Sequence, residues 1–134
     1  MRPHPEFSFH RILRDLMGPA EPPFYTLSSH SLAEDLAWAD AVVYVSSTVG
    51  VEALSMGLPV IHLELGELLS TDPLFGWRDL KWSVAEPDRF IETLREISMV
   101  PQERFAALQA AARGYAGRYL RPATAERIQQ FVEV

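Results

Sequence analysis

Cysteine is absent from the chain of 134 residues, so the sequence contains neither a disulfide framework nor a thiolate metal site. No apolar run approaches the ~20 residues that a membrane span needs. The N-terminus lacks the charged-then-apolar order of a signal peptide. Internal repeats and low-complexity runs are also missing, and hydrophobic residues make up 48% of the chain. These features predict a packed globular protein, and a reducing cytoplasm is compatible with the absence of cysteine.

Basic residues are outnumbered, with 12 Lys and Arg against 18 Asp and Glu, which gives a net charge of −6. This balance disfavours a nucleic-acid backbone as a partner. A nucleotide stays compatible with it, because a small anion needs only local hydrogen-bond donors. The length predicts one domain over residues 1–134, large enough to bury roughly two thirds of its unfolded surface.

The most informative stretch runs from Ala41 to Leu65. It begins with a β-branched apolar run that predicts a strand buried on both faces, as in a parallel sheet. A small hydroxylic turn, Ser46-Ser47-Thr48-Val49-Gly50, follows. Next comes a short helical run, Val51 to Met56, which Gly57 ends in the left-handed conformation, and then a second strand, Val60 to Leu63. We expect Thr48 or Ser47 to cap the helix through its side-chain oxygen.

The remaining segments alternate between helical and extended patterns. Ser31 and Glu34 have the spacing of a capping box, which predicts a helix that ends at Asp40. The other predicted elements are a helix from Ser8 to Met17, a strand from Phe24 to Leu27, a short strand from Lys81 to Val84, and helices after Pro87, after Pro101 and from Ala123 to Val132. The alternation with short connections predicts a three-layer α/β fold with a parallel sheet.

The turn from Ser46 to Gly50 is suited to a diphosphate. It offers backbone N–H groups and three hydroxyls. Because Gly50 has no Cβ, a ligand can approach the backbone closely there. Glu52, about one turn into the helix, can accept hydrogen bonds from two ribose hydroxyls. A purely structural interpretation stays open, in which Ser47 and Thr48 only cap the helix and Glu52 is a surface acid near the positive end of its dipole.

The order of these motifs resembles the C-terminal domain of GT-B glycosyltransferases. The resemblance rests on a His-Pro loop, a helix that ends in Ala-Asp, an apolar strand and the run S-S-T-x-G-x-E-A-L-x-x-G-x-P-V-I. It is nearest to bacterial surface and capsular polysaccharide transferases and to the peptidoglycan N-acetylglucosaminyltransferase. It implies a Rossmann-like domain that binds a nucleotide-sugar donor of the UDP or CMP type. Sugar-nucleotide epimerases share this core, and a non-catalytic nucleotide-binding or interaction module is a further alternative.

The resemblance also implies roles for single residues, each with a structural alternative. The matching glutamate, Glu52, holds the ribose. Arg2 and His4 lie near the donor phosphates, or else form a rigid exposed loop. Ser28 lies where related domains contact the base, or else belongs to a plain helix cap. Glu64 and Glu67 reach donor-sugar hydroxyls, or else are solvated loop acids.

The sequence identifies no catalytic residue, and backbone donors make a metal or other cofactor unnecessary in this scheme. His62 is expected to face the sheet, and His62-Leu63-Glu64 is too short a pattern for a metal site.

Two strands that precede the His-Pro loop in the resembled domains have no counterpart here, and neither does an acceptor domain. We therefore expect a fragment that lacks its first strands and is inactive alone, unless the remaining strands pair in another order or a partner fills the gap. Its expected partner is the missing acceptor domain or a second copy of the chain. The full enzyme is expected in the cytoplasm or in peripheral association with the inner face of the cell membrane.

Overall fold

A computed structural model describes residues 25–66 and 70–132 of the chain. The chain divides into two compact units at the junction between Trp38 and Ala39. The predicted helix from Ser8 to Met17 lies outside the described residues. The expectation of one domain over the whole chain stays a prediction.

In the first unit, helix α1 spans Leu32–Trp38 and begins with the predicted capping box. The Ser31 N–H and hydroxyl both donate to Glu34 Oε2 over 2.7 Å, and the Glu34 N–H donates to Ser31 Oγ over 3.3 Å. These hydrogen bonds from Ser31 hold the pKa of Glu34 below its ordinary value. The predicted strand is wrong for residues 25–27, which have no regular structure. An apolar run alone does not make a strand, because a strand also needs a hydrogen-bonded neighbour.

The second unit contains a sheet of three parallel strands in the order β1-β2-β3. Strand β1 spans Val42–Tyr44, β2 spans Val60–Leu63 and β3 spans Lys81–Val84. In register, Tyr44 pairs with His62, and His62 pairs with Ser83. The mixture of helices with a parallel sheet confirms the predicted α/β class.

Helix α2 spans Val49–Met56 and connects β1 to β2. It packs on both strands, and its Ala53 and Leu54 are fully buried. As predicted, Gly57 ends the helix in the left-handed conformation, with a φ of 79°. The first two residues of β2, Val60 and Ile61, are also fully buried, as expected for an apolar strand with a neighbour on each side.

Three further helices follow the sheet: α3 spans Pro87–Ser98, α4 spans Gln102–Ala116 and α5 spans Ala125–Val132. Helix α4 packs on α2 and binds its carboxyl end. Gln109 Nε2 donates to the Gly57 carbonyl over 2.7 Å, and Arg113 Nη2 donates to the Met56 carbonyl over 3.1 Å. These contacts satisfy carbonyls that a helix end leaves without partners.

Among the helices that the structure describes, none combines the length and the apolar character that a membrane crossing requires.

Candidate functional site

The hydroxylic turn lies where β1 ends and α2 begins. Ser46, Ser47 and Thr48 are all exposed there. Because β1 and β2 are parallel, the turn lies at the same edge of the sheet as Glu64, which directly follows β2. This carboxyl edge is where open α/β sheets bind ligands.

The first N–H groups of α2 are already used within the chain. The Val49 N–H donates to Ser47 Oγ over 3.3 Å. The N–H groups of residues 50–52 donate to the carbonyls of Ser47 and Thr48 over 2.9 to 3.3 Å. Of the two predicted capping residues, Ser47 therefore accepts a hydrogen bond, whereas the Thr48 side chain makes no capping bond. An anion at this edge cannot rely on the N–H groups of residues 49–52.

Free donors lie just upstream of the helix. The N–H groups of Ser46, Ser47 and Thr48 donate no hydrogen bond to any residue that the structure describes. The hydroxyls of Ser46 and Thr48 likewise have no hydrogen-bond partner among residues 25–66 and 70–132. The Ser47 hydroxyl accepts from Val49 and keeps its own hydrogen available. The turn thus presents N–H and O–H donors on three consecutive exposed residues.

Gly50 and Glu52 lie in the first turn of α2. Gly50 is buried, and a Cβ at this position would approach the Tyr44 ring to 2.9 Å. Packing inside the protein therefore gives a reason for glycine here that is separate from ligand approach. Glu52 is half-buried, and its carboxylate has no hydrogen-bond partner within the part of the chain that the structure describes.

A cleft of about 290 Å³ opens beside β2 and β3. Glu64 is the one described residue of the predicted site that lines it. The turn itself does not line the cleft, but Val45, which directly precedes Ser46, does. The cleft therefore runs along β2 and β3 from Lys81, the first residue of β3, to the carboxyl end of β2, where it adjoins the turn. The lining residues are Val45, His62, Leu63, Glu64, Leu65, Gly66, Ser70, Thr71, Asp72, Lys81 and Ser83.

Asp72 is the centre of a buried polar cluster in the wall of this cleft. Only 4% of the residue is exposed, and its carboxylate accepts hydrogen bonds from Tyr44 Oη over 2.7 Å, from the Leu74 N–H over 2.9 Å and from Lys81 Nζ. Lys81 Nζ also donates to the Leu74 carbonyl over 2.7 Å. The cluster ties the loop before β3 to both β1 and β3.

The carboxyl group of Asp72 and the phenol of Tyr44 both have shifted pKa values. Burial tends to raise the pKa of Asp72, but the hydrogen bonds from Lys81, Tyr44 and the Leu74 N–H outweigh it, so this pKa lies below its ordinary value. Burial, reinforced by the hydrogen bond to Asp72, raises the pKa of Tyr44 far above its ordinary value. Asp72 is therefore ionised and Tyr44 neutral at physiological pH.

Sequence reasoning did not identify His62, Asp72 or Lys81 as cleft residues. His62 is buried in β2 and contacts the Tyr44 ring, with 5.3 Å between ring centroids. Asp72 lies in the loop between β2 and β3, far along the chain from the predicted turn. The one available signal was the charge of Lys81 at the first position of an otherwise neutral strand.

The other predicted site residues belong to the first unit or lie outside the described residues. Ser28, in the first unit, donates to Asp35 Oδ1 and accepts from the His30 N–H over 3.1 Å. Its role as a base contact stays a prediction. Arg2, His4 and Glu67 lie outside the described residues.

Among the described residues, no group of three or more His, Asp or Glu side chains is placed to hold a metal ion. Comparisons with protein-family models, with curated proteins and with solved structures find no match to this chain.

Proposed function

We propose that the chain binds a nucleotide sugar of the UDP or CMP type at the carboxyl edge of its sheet. One observation carries this proposal: on three consecutive residues after β1, Ser46 to Thr48, the N–H and O–H groups donate to none of the described residues, and they lie next to a cleft of about 290 Å³. A diphosphate needs several donors directed at one point, and a sheet edge of this kind supplies them.

In this proposal the phosphates contact residues 46–48 rather than the body of α2, whose first N–H groups are occupied. The positive end of the α2 dipole adds a favourable field, because it faces the same edge. The Glu52 carboxylate, which has no hydrogen-bond partner among the described residues, accepts hydrogen bonds from the ribose hydroxyls, and Glu64 reaches the donor sugar from the rim of the cleft. Ser28, Arg2 and His4 are assigned to the base and phosphates by resemblance alone.

The wider assignment rests on the GT-B resemblance of the segment from Ala39 to Ile61. On that basis the chain is the donor-binding, Rossmann-like part of a glycosyltransferase in bacterial envelope or capsule polysaccharide synthesis. Its chemical contribution is electrostatic: donors fixed in place at residues 46–48 stabilise the negative charge that develops on the leaving phosphate. The acceptor and its activating base belong to another domain or chain.

Isothermal titration of the chain with UDP, UMP and uridine, and with the corresponding cytidine series, tests the proposal. We expect affinity to rise with each phosphate in at least one series, because the turn binds phosphate rather than the nucleoside. Equal and weak affinity for all members of both series would overturn the assignment of the turn.

A further inference from the structure

Helix α3 has an apolar strip, formed by Ile91 and Leu94, on a side that is turned away from the sheet. The side that packs toward β3 carries Thr93, the one buried residue of the helix, with the half-buried Phe90 and Ile97 beside it. Ile91 and Leu94 are 53% and 37% exposed. The two are one helical turn apart, so their side chains are neighbours on the helix surface. The α3 strip therefore has no partner among the described residues.

Two charged side chains of opposite sign border the α3 strip. Asp88 precedes Ile91 by three residues and Arg95 follows it by four, so both are neighbours of Ile91 on the helix surface. Both are exposed, and neither forms an ion pair with a residue in 25–66 or 70–132. The three other charged side chains of the helix already pair with one another. Asp88 and Arg95 are thus available to a partner molecule.

The order of these two charges restricts the kind of partner. Asp88 and Arg95 are seven positions apart, about 10 Å along a helix, with Ile91 between them. If a second α3 helix lies antiparallel across the strip, the Asp88 carboxylate of each copy faces the Arg95 guanidinium of the other. A parallel arrangement would place like charges opposite each other, which opposes association. The surface is therefore complementary to itself, as a two-fold symmetric interface requires.

Other classes of partner match this surface less well. One carboxylate and one guanidinium give the border of the strip no net charge, so an anionic membrane surface or a nucleic acid gains no attraction from it. Small-molecule sites are concave, whereas the surface of a helix is convex. A second copy of the chain satisfies both the apolar side chains and the two charges.

We propose that a second copy of this chain covers the α3 strip in a two-fold symmetric dimer of antiparallel α3 helices. Ile91 and Leu94 pack at its centre, and Asp88 and Arg95 form two symmetric ion pairs at its border. A helix of 12 residues is about 18 Å long, so the contact is smaller than the roughly 800 Å² per partner of a standard interface. The dimer is therefore weak and forms only at micromolar or higher concentrations. The inference is independent of nucleotide binding.

Sedimentation velocity of the full chain from ~10 µM to ~1 mM, near 0.15 M salt, tests the proposal. The natural chain is expected to pass from monomer to dimer over this range. Ile91→Glu should raise the Kd about tenfold or more, because it places like charges at the centre of the interface. Ile128→Glu is the matched control, since Ile128 is similarly exposed, at 56%, on α5. A chain that stays monomeric, or a dimer that both variants weaken equally or not at all, would overturn the proposal.

Exchange of the border charges tests the antiparallel pairing itself. Arg95→Glu makes the border entirely acidic and Asp88→Arg makes it entirely basic, so each variant alone should dimerise about tenfold more weakly. An equal mixture of the two should form a heterodimer, and the double variant should dimerise with itself again. Arg104→Glu, at an exposed arginine of α4, is the matched control and should leave dimerisation unchanged.

Failure of both the mixture and the double variant to recover dimerisation would overturn the proposal, as would an equal loss in Arg104→Glu. All the substituted side chains are exposed, and far-UV circular dichroism verifies that each variant is folded. If Asp88→Arg unfolds, the comparison of Arg95→Glu with Arg104→Glu still decides.

Discussion

Gly50 lies directly against the aromatic ring of Tyr44, with no room for a side chain between them. A Cβ on Gly50 would lie 2.9 Å from Cζ of Tyr44 and 3.0 Å from Cε1. The ring cannot easily move away, because its hydroxyl donates to the buried Asp72 carboxylate over 2.7 Å. The start of α2 is thereby fixed against β1 and against the loop that forms the wall of the cleft.

Gly50→Ala is expected to destabilise the protein, although alanine is the better helix former. The gain in helix propensity is about 1 kcal/mol, whereas an overpacked core costs ~1–3 kcal/mol. Gly114→Ala is the matched control, because a Cβ there meets nothing within 4 Å. It should gain up to about 1 kcal/mol. Urea unfolding measures both, and an equal gain in stability for the two variants would contradict the contact with Tyr44.

Lys81→Met is expected to cost ~3–5 kcal/mol, because it leaves the Asp72 carboxylate buried with its charge unpaired. Adding Asp72→Asn to this variant should restore part of the loss, since the buried group is then neutral. The control is Arg89→Met, which breaks exposed ion pairs with Glu92 and Glu96 and should cost no more than ~1 kcal/mol. Thermal and urea unfolding provide the measurement. Similar losses of stability in Lys81→Met and Arg89→Met would show that Asp72 is not effectively buried.

The lowered pKa of Asp72 predicts how stability depends on pH. A carboxylate whose folded pKa is depressed stabilises the protein fully above its unfolded pKa, ordinarily 3.8, and loses this contribution as the pH falls through the folded value. The stability difference between the natural chain and Asp72→Asn should therefore be constant near neutral pH and shrink below pH 3.8. Tyr44→Phe removes one of the hydrogen bonds and should move this loss to higher pH. A difference that does not change with acid would contradict the prediction.

The local elements of the second unit were predictable because their signals lie within a few residues of one another. Apolar β-branched runs predicted β1 and β2, and Gly57 predicted the end of α2. In the first unit, Ser31 and Glu34 marked the start of α1 in the same way. Such features depend on backbone propensity and on side chains one turn apart.

The features that were predicted wrongly or not at all depend on the exact backbone conformation or on partners that are distant in sequence. Thr48 does not cap α2, because its backbone is already helical, with φ −61° and ψ −11°, whereas a capping side chain needs an extended residue. The pairing of Asp72 with Lys81 and Tyr44 depends on how the loop before β3 packs on the sheet. Sequence periodicity carries no information about that packing, so the cleft could not be predicted.

Glu52→Gln is expected to weaken UDP binding by ~1–3 kcal/mol, because it removes the charge that the ribose hydroxyls contact. Its effect on folding should be at most ~0.3–1 kcal/mol, the usual contribution of an acid near a helix N-terminus. Glu103→Gln is the matched control, as Glu103 is the acid in the first turn of α4. The affinity for UDP should be measured by calorimetry, and the stability by urea unfolding, for Glu52→Gln and for Glu103→Gln. Loss of folding with unchanged UDP affinity in Glu52→Gln would make this residue structural.

The central claim is that residues 46–48 bind the phosphates of a nucleotide, and a crystal structure of the chain with UDP tests it most directly. The account predicts phosphate oxygens within hydrogen-bond distance of the N–H groups of Ser47 and Thr48, with the ribose hydroxyls at the Glu52 carboxylate. The cleft beside β2 should then receive no phosphate. A diphosphate bound at His62 and Lys81, or at any place away from the turn, would contradict the claim.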